Sequence, residues 1–182
     1  FEDADTEQEE KKTESKEAEK TPQNNTKPLV EKIELCAPVS GTVKALSDVP
    51  DKTFAEKVLG DGAAIIPEEG KVYAPADGTV ANIMDSKHGI MFVTDSGAEV
   101  LIHIGLDTVN LKGKYFKSYV SDGDKVKKGT LLVEFDLEAI KGEGYNLITP
   151  MVVTNISDYI KAVCMEKENT AINAGDKFLT VV

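Results

Sequence analysis

The stretch "KHGIMFVTDSGAEVLIHIG", from Lys87 to Gly105, holds both histidines of this 182-residue chain, His88 and His103. Imidazole titrates near pH 6.5, so at neutral pH each ring offers a neutral nitrogen that can serve as nucleophile, base or metal ligand. Covalent histidine intermediates are one of the ways enzymes divide a difficult transfer into two steps. A phosphoryl group on one ring nitrogen would be steadied by a second ring and by nearby backbone N–H groups, which is the positioning and charge neutralisation that phosphoryl transfer requires. Against this, a histidine in a strand is more often structural or solvent-facing. Two histidines without close spacing are also a weak metal signal. The pair carries chemistry only if the fold brings the two rings together.

The elements that would do so are two strands. Ile90–Thr94 and Glu99–Ile104 alternate in the manner of strands, and the intervening "DSGA" has hairpin-turn composition. With Thr94 opposite Glu99, His88 stands opposite Gly105. His103 is then a diagonal neighbour on the same face, where Cα atoms are about 7–8 Å apart. A one-residue slip would put the histidines on opposite faces. Alternation turns Val100, Ile102 and Ile104 toward the core and His103, with Leu101, the other way. Two imidazoles over the small Gly105 then form a shallow apolar patch, with Asp107 nearby in "GLDTV".

The rest of the chain from Ile33 onward has the same texture. "GTVKAL", "GKVYAP", "GTVANI", "KYFKSYV", "TLLVEF", "LITPMVVT" and "KFLTVV" are short apolar runs broken by Gly, Asp and Pro, and they predict an all-β sandwich or barrel. Helices should be few and short. "TFAEKVLG" is one candidate, "DLEAIKGEG" a second with Asp136 as cap and Gly142 as stop, and "SDYIKAV" a third. "LCAPVSGTVKAL" echoes "VYAPADGTVANI", and the turn chemistry returns in "VSDGDKVKKGTLLVEF". Two copies imply two similar half-units packed together, since a solenoid needs three or more.

Composition closes off several functions. The formal net charge of −11 argues against a nucleic-acid partner, which calls for clustered Lys and Arg. Cys36 and Cys164 lie far apart and match no metal or redox spacing, so they read as free structural thiols in a reducing compartment. No apolar run approaches the roughly 20 residues needed to span a bilayer, and no signal peptide is visible. Residues 1–32 are Glu, Lys, Thr, Gln and Asn with almost nothing to bury, and predict a disordered acidic linker. A linker opening on Phe1 rather than Met suggests a fragment or processed product with something once upstream.

With "APVSGTV", "LSDVPDKTFAEKVLGDGAAIIP", "APADGTV", "KHGI", "LIHIGLDTV", "GDKVKKGTLLVEFDLE" and "ITPMVVTN" in place, the chain resembles the glucose-type IIA domain of the bacterial sugar phosphotransferase system. The resemblance covers about Leu35 to Val182, so residues 33–182 are expected to be a IIA phosphocarrier domain. It implies an antiparallel β-sandwich built from a duplicated β motif. It implies a phosphotransferase activity in which His103 takes a phosphoryl group through Nε2 from the carrier protein HPr. His88 would steady the phosphate, and the Ser86 hydroxyl, where family members usually carry Thr, would orient His88. The Gly105 carbonyl would hold the other nitrogen of His103, and Asp107 would lie at the rim.

The implied partners are HPr, a cysteine-bearing IIB domain and, indirectly, the membrane IIC domain. Phe54, Val49 and Val109 match the family's partner surface, although Phe54 suits the core of a short helix equally well. No cofactor is implied beyond the transient phosphoryl group. No metal is expected in isolation, although a carboxylate from a partner could complete a zinc site with His88 and His103. The polar tail suits the C-terminal IIA unit of a fused β-glucoside, sucrose or trehalose transporter, cytoplasmic and at the inner face of the cell membrane if tethered. The alternative is a regulatory IIA-like domain of a sugar symporter, phosphorylated by HPr without passing phosphate on. Biotin- and lipoyl-carrying domains share the turn chemistry but need an exposed hairpin lysine, usually flanked by Met, that this chain lacks. Metallopeptidases of a related duplicated β fold need His-x-His, where this chain has His103-Ile104-Gly105.

Overall fold

The short apolar runs named above form strands, and the computed structural model, which describes residues 32–182, holds fourteen strands in all. The first half contains β1 (Ile33–Cys36), β2 (Gly41–Ala45), β3 (Asp61–Pro67), β4 (Lys71–Tyr73), β5 (Gly78–Ile83), β6 (Gly89–Thr94) and β7 (Glu99–His103). The second contains β8 (Phe116–Ser118), β9 (Lys125–Val126), β10 (Leu131–Phe135), β11 (Thr149–Val153), β12 (Ala162–Cys164), β13 (Ala171–Ile172) and β14 (Lys177–Val181). The predicted linker lies outside the described residues except for Lys32. Lys32–Val182 forms one compact unit.

The strands make one eight-stranded sheet, in the order β13-β2-β3-β11-β7-β6-β5-β9, and two three-stranded sheets, β1-β14-β12 and β4-β10-β8. Every pairing is antiparallel. Leu35, Val72, Leu132 and Phe178 of the small sheets share one buried cluster with Val43, Ile65, Phe92 and Ile102 of the large sheet. This is the sandwich core, and each such side chain contributes about 1.5–3 kcal/mol through burial.

The duplication is visible in matching backbone bonds. In the first copy β1 lies in a small sheet, the chain bends through Ala37-Pro38, and β2 enters the large sheet. In the second copy β4, Ala74-Pro75 and β5 do the same. Ala37 donates to Asp176 O at 2.8 Å and accepts from Gly175 N at 3.0 Å. Ala74 donates to Thr130 O at 2.9 Å and accepts from Gly129 N at 2.9 Å. Each bend is thus pinned by a glycine-containing turn from the chain's second half.

Two short helices stand where composition placed them. In α1 (Lys52–Ala55) the Asp51 carboxylate accepts from Thr53 N, and in α2 (Leu137–Gly142) Asp136 accepts from Ala139 N, both as N-caps. "SDYIKAV" is not a helix. It begins in a 3-10 turn, Ile156–Asp158, and ends in β12, whose residues pair with β14. The partner strand decides this, not local propensity. Alternation also missed β3, because "DGAAIIP" opens on weak strand formers and closes on Pro.

Candidate functional site

The large sheet has a second face with its own apolar cluster. Leu101 and Val152 point into it from the sheet, and Val49 and Phe54 cover it from the loop and helix that follow β2. Capping by Asp51 sets α1 so that Phe54 turns inward and is buried. Its ring centroid lies 5.2 Å from that of His103, at the end of β7. Phe54 and Val49, expected on a partner surface, are therefore the floor of the site, at 3% and 2% exposure; Val109 alone of the three is exposed, at 49%. The floor arises because α1 packs across strands distant in sequence.

The hairpin register differs by one residue from that expected. Thr94 N bonds to Ala98 O rather than facing Glu99, so Val93 pairs with Glu99 and Gly89 with His103. In this register strict alternation would turn His88 to the face opposite His103. His88 escapes it by preceding β6. Its loop is closed by Met84 N to Gly89 O at 3.0 Å and Lys87 N to Met84 O at 2.7 Å, with Lys87 in the left-handed region at φ 59°. The two imidazoles meet edge to face with centroids 4.9 Å apart. Gly89 faces His103, and the Met84 side chain fills the space beside it: a Cβ there would come 2.4 Å from the Met84 sulfur, so Met84 would have to swing aside.

His103 Nδ1 lies 2.7 Å from the Gly105 carbonyl oxygen. A carbonyl only accepts, so Nδ1 carries the proton and donates, and Nε2 is left with the lone pair. Gly105 aims its carbonyl back at the ring with φ 76°, a conformation that favours glycine. Burial lowers the pKa of His103, partly offset by the Gly105 bond and by the carboxylates of Asp51 and Asp107. Asp107 stands exposed at the rim, itself left-handed at φ 61°.

His88 is buried, and its pKa falls from 6.5 to about 4, mainly by desolvation and secondarily by the neighbouring His103. Its Nδ1 has no hydrogen-bond partner. Ser86 was expected to orient His88, but its hydroxyl does not bond this nitrogen; the turn at Met84–Gly89 holds the His88 backbone. Burial thus favours the uncharged form of both rings. The arrangement therefore presents an outward lone pair on His103 beside a second neutral ring, over an apolar floor.

Sequence reasoning did not single out Asp51 or Met84. Asp51 had a signal, since Asp ahead of "KTF" is an N-cap pattern. Met84 had none, because it reaches the site from a loop outside any periodic run. Among the described residues no third His, Cys, Asp or Glu joins the two histidines in a metal-binding group. Cys36 and Cys164 are both free thiols.

Comparison with known proteins adds the following. Residues 33–159 match the family model for the phosphoenolpyruvate-dependent sugar phosphotransferase system, EIIA 1. The glucose-specific EIIA component of Halalkalibacterium halodurans is 46% identical over 146 residues, covering 80% of this chain and 83% of that protein. The β-glucoside-specific EIIBCA component of Bacillus subtilis is 53% identical over 123 residues, covering 68% of this chain but only 20% of that protein. The chain thus spans about a fifth of the EIIBCA relative. Among solved structures, the glucose permease IIA from Mycoplasma capricolum superimposes with a TM-score of 0.74 at 32% identity, covering 82% of this chain and 96% of that one.

Proposed function

The chain belongs to the EIIA 1 family of the phosphoenolpyruvate-dependent sugar phosphotransferase system, and from that premise we propose that His103 receives a phosphoryl group on Nε2 from HPr and passes it to the cysteine of a IIB domain. The observation that carries this reading is the Nδ1 contact of His103 with the Gly105 carbonyl, which leaves Nε2 as the only nucleophilic nitrogen of that ring. In the first step the Nε2 lone pair attacks phosphorus, the P–N bond to the donor histidine breaks, and that nitrogen regains its lone pair. In the second a cysteine thiolate attacks phosphorus and the P–Nε2 bond breaks. Nδ1 keeps its proton in both steps, so no base is needed.

His88 would act as a neutral donor to the phosphoryl oxygens, and the apolar floor would limit water's access to the phosphohistidine. Phosphate on Nε2 is also what His88 could answer with a change of partner, Ser86 then reaching the nitrogen left unbonded here. Val109, exposed beside the site, would meet the partner proteins.

No described helix is long and apolar enough to cross a membrane. Relatives named EIIBCA components support a setting in which this domain works beside B and C units at the inner face of the membrane, and they favour donation over a purely regulatory role. Incubation with enzyme I, HPr and phosphoenolpyruvate tests the reading. Wild-type protein should take one labile label and pass it to a IIB domain, and His103→Ala should take none. Normal labelling of that variant would sink the assignment.

A further inference from the structure

The Gly105 carbonyl can select the His103 tautomer only if three successive peptide units hold still. The unit joining His103 to Ile104 is pinned by Ile104 N donating to the His88 carbonyl at 2.7 Å. The unit joining Gly105 to Leu106, which owns the critical carbonyl, is pinned at its other end by Leu106 N donating to Asn146 O at 2.9 Å. Between them, the Ile104 carbonyl accepts from the Thr108 hydroxyl at 2.6 Å. Two of these clamps are backbone to backbone. The third is a side chain, buried at 0% exposure. Its methyl also lies against Gly105, where an added Cβ would come within 2.7 Å of Thr108 Cγ2.

We propose that Thr108 is a positioning residue for phosphoryl acceptance: it fixes the Ile104–Gly105 peptide, and through it the carbonyl that keeps the His103 proton on Nδ1 and the lone pair on Nε2. Thr108 is fully buried and has no open face toward solvent. It acts through the turn. Without its hydroxyl the Ile104 carbonyl loses a buried donor and the peptide rotates to seek another. The Gly105 oxygen then leaves Nδ1, and the Nε2–H tautomer, which cannot attack phosphorus, becomes populated.

The inference rests on His103 as the acceptor, yet its first readout does not depend on phosphorylation. Nitrogen-15 NMR of the His103 ring distinguishes the two neutral tautomers in the unphosphorylated protein. Wild type should be almost entirely Nδ1–H. Thr108→Val, which keeps the shape and removes the donor, should show a mixture of tautomers and accept phosphate from HPr about tenfold to a hundredfold more slowly, the range of effect of small displacements at a reacting group. Thr108→Ser, which keeps the donor, should retain the wild-type tautomer and most of the rate. If Thr108→Val does not fold, Thr108→Ala set against Thr108→Ser differs only by the hydroxyl and carries the same expectation. An unchanged tautomer in the Val or Ala variant overturns the proposal, as does equal loss of rate in Ser and Ala. Failure of the wild type to accept label would instead overturn the functional reading and leave the tautomer result standing.

Discussion

The β6–β7 hairpin has two faces that serve different ends. On one, Ile90, Phe92, Val100 and Ile102 are all fully buried in the sandwich core. On the other, Gly89, Met91, Leu101 and His103 meet a smaller cluster that α1 covers only partly. The first face has its positions filled, and its buried Thr94 hydroxyl is satisfied, accepting from Ala98 N at 3.0 Å. The second keeps a buried histidine with an unpartnered nitrogen, a bare glycine and a half-exposed ring. The two-residue period of β6 and β7 thus sets His103 apart from the core residues, and the turn before β6 brings His88 round to the His103 side. The filled face holds the histidine-bearing one in place, and the one unpartnered buried side-chain atom among the described residues, His88 Nδ1, lies on the histidine side.

That division can be broken from either side. The largest expected effect is His103→Ala, which should abolish phosphoryl acceptance entirely while shifting stability by no more than about 1 kcal/mol, since His103 is only half-buried. Thermal melting beside the labelling assay checks both halves, and a collapse of the fold would show that the faces are not separable. Next is Ile102→Ala, the neighbouring residue on the opposite face. It should cost about 2–5 kcal/mol in urea unfolding, with the surviving folded protein still accepting phosphate.

The third concerns acid. His88 is driven below its ordinary pKa by burial, so the unfolded chain binds a proton at higher pH than the folded one. Stability is then fully present above pH 6.5 and is lost as pH falls from 6.5 toward 4. The His88 contribution to that loss should be about 1–3 kcal/mol, the upper figure being the full shift and the lower allowing for solvent at a site open on one side. His88→Gln should flatten that window in denaturation measured at a series of pH values, and an unaltered slope would assign the acid sensitivity elsewhere. The smallest effect is at the rim. Val109→Lys should leave stability within about 0.5 kcal/mol while weakening saturation by HPr, and unchanged kinetics would remove Val109 from the partner surface.

Much of this molecule was legible in its residues. Period-two runs and the paired Ala-Pro bends were enough for the duplicated β architecture, because they follow from local alternation and turn chemistry. The assignment of Ile102 and Ile104 to the core and of His103 to the other face also came from alternation within one strand, and it holds. "LIHIG" located Gly105, and Asp136 caps its helix as its type dictates.

What the residues could not decide lies at longer range. The hairpin closes at Thr94–Ala98, one position from where turn composition placed it, because "TDSGA" admits two closures and packing across the whole sheet chooses between them. By alternation that register would have parted the histidines. They meet because His88 sits beyond the strand in a turn whose bonds are made by Met84 and Gly89. The burial of Val49 and Phe54 depends on α1 lying across strands far away in sequence. The sequence alone determined which groups could do the chemistry and on which face His103 stands, since side-chain type and strand period are local. Only the tertiary structure decided that a second ring, a carbonyl and an apolar floor converge on that face, since convergence is a property of packed elements.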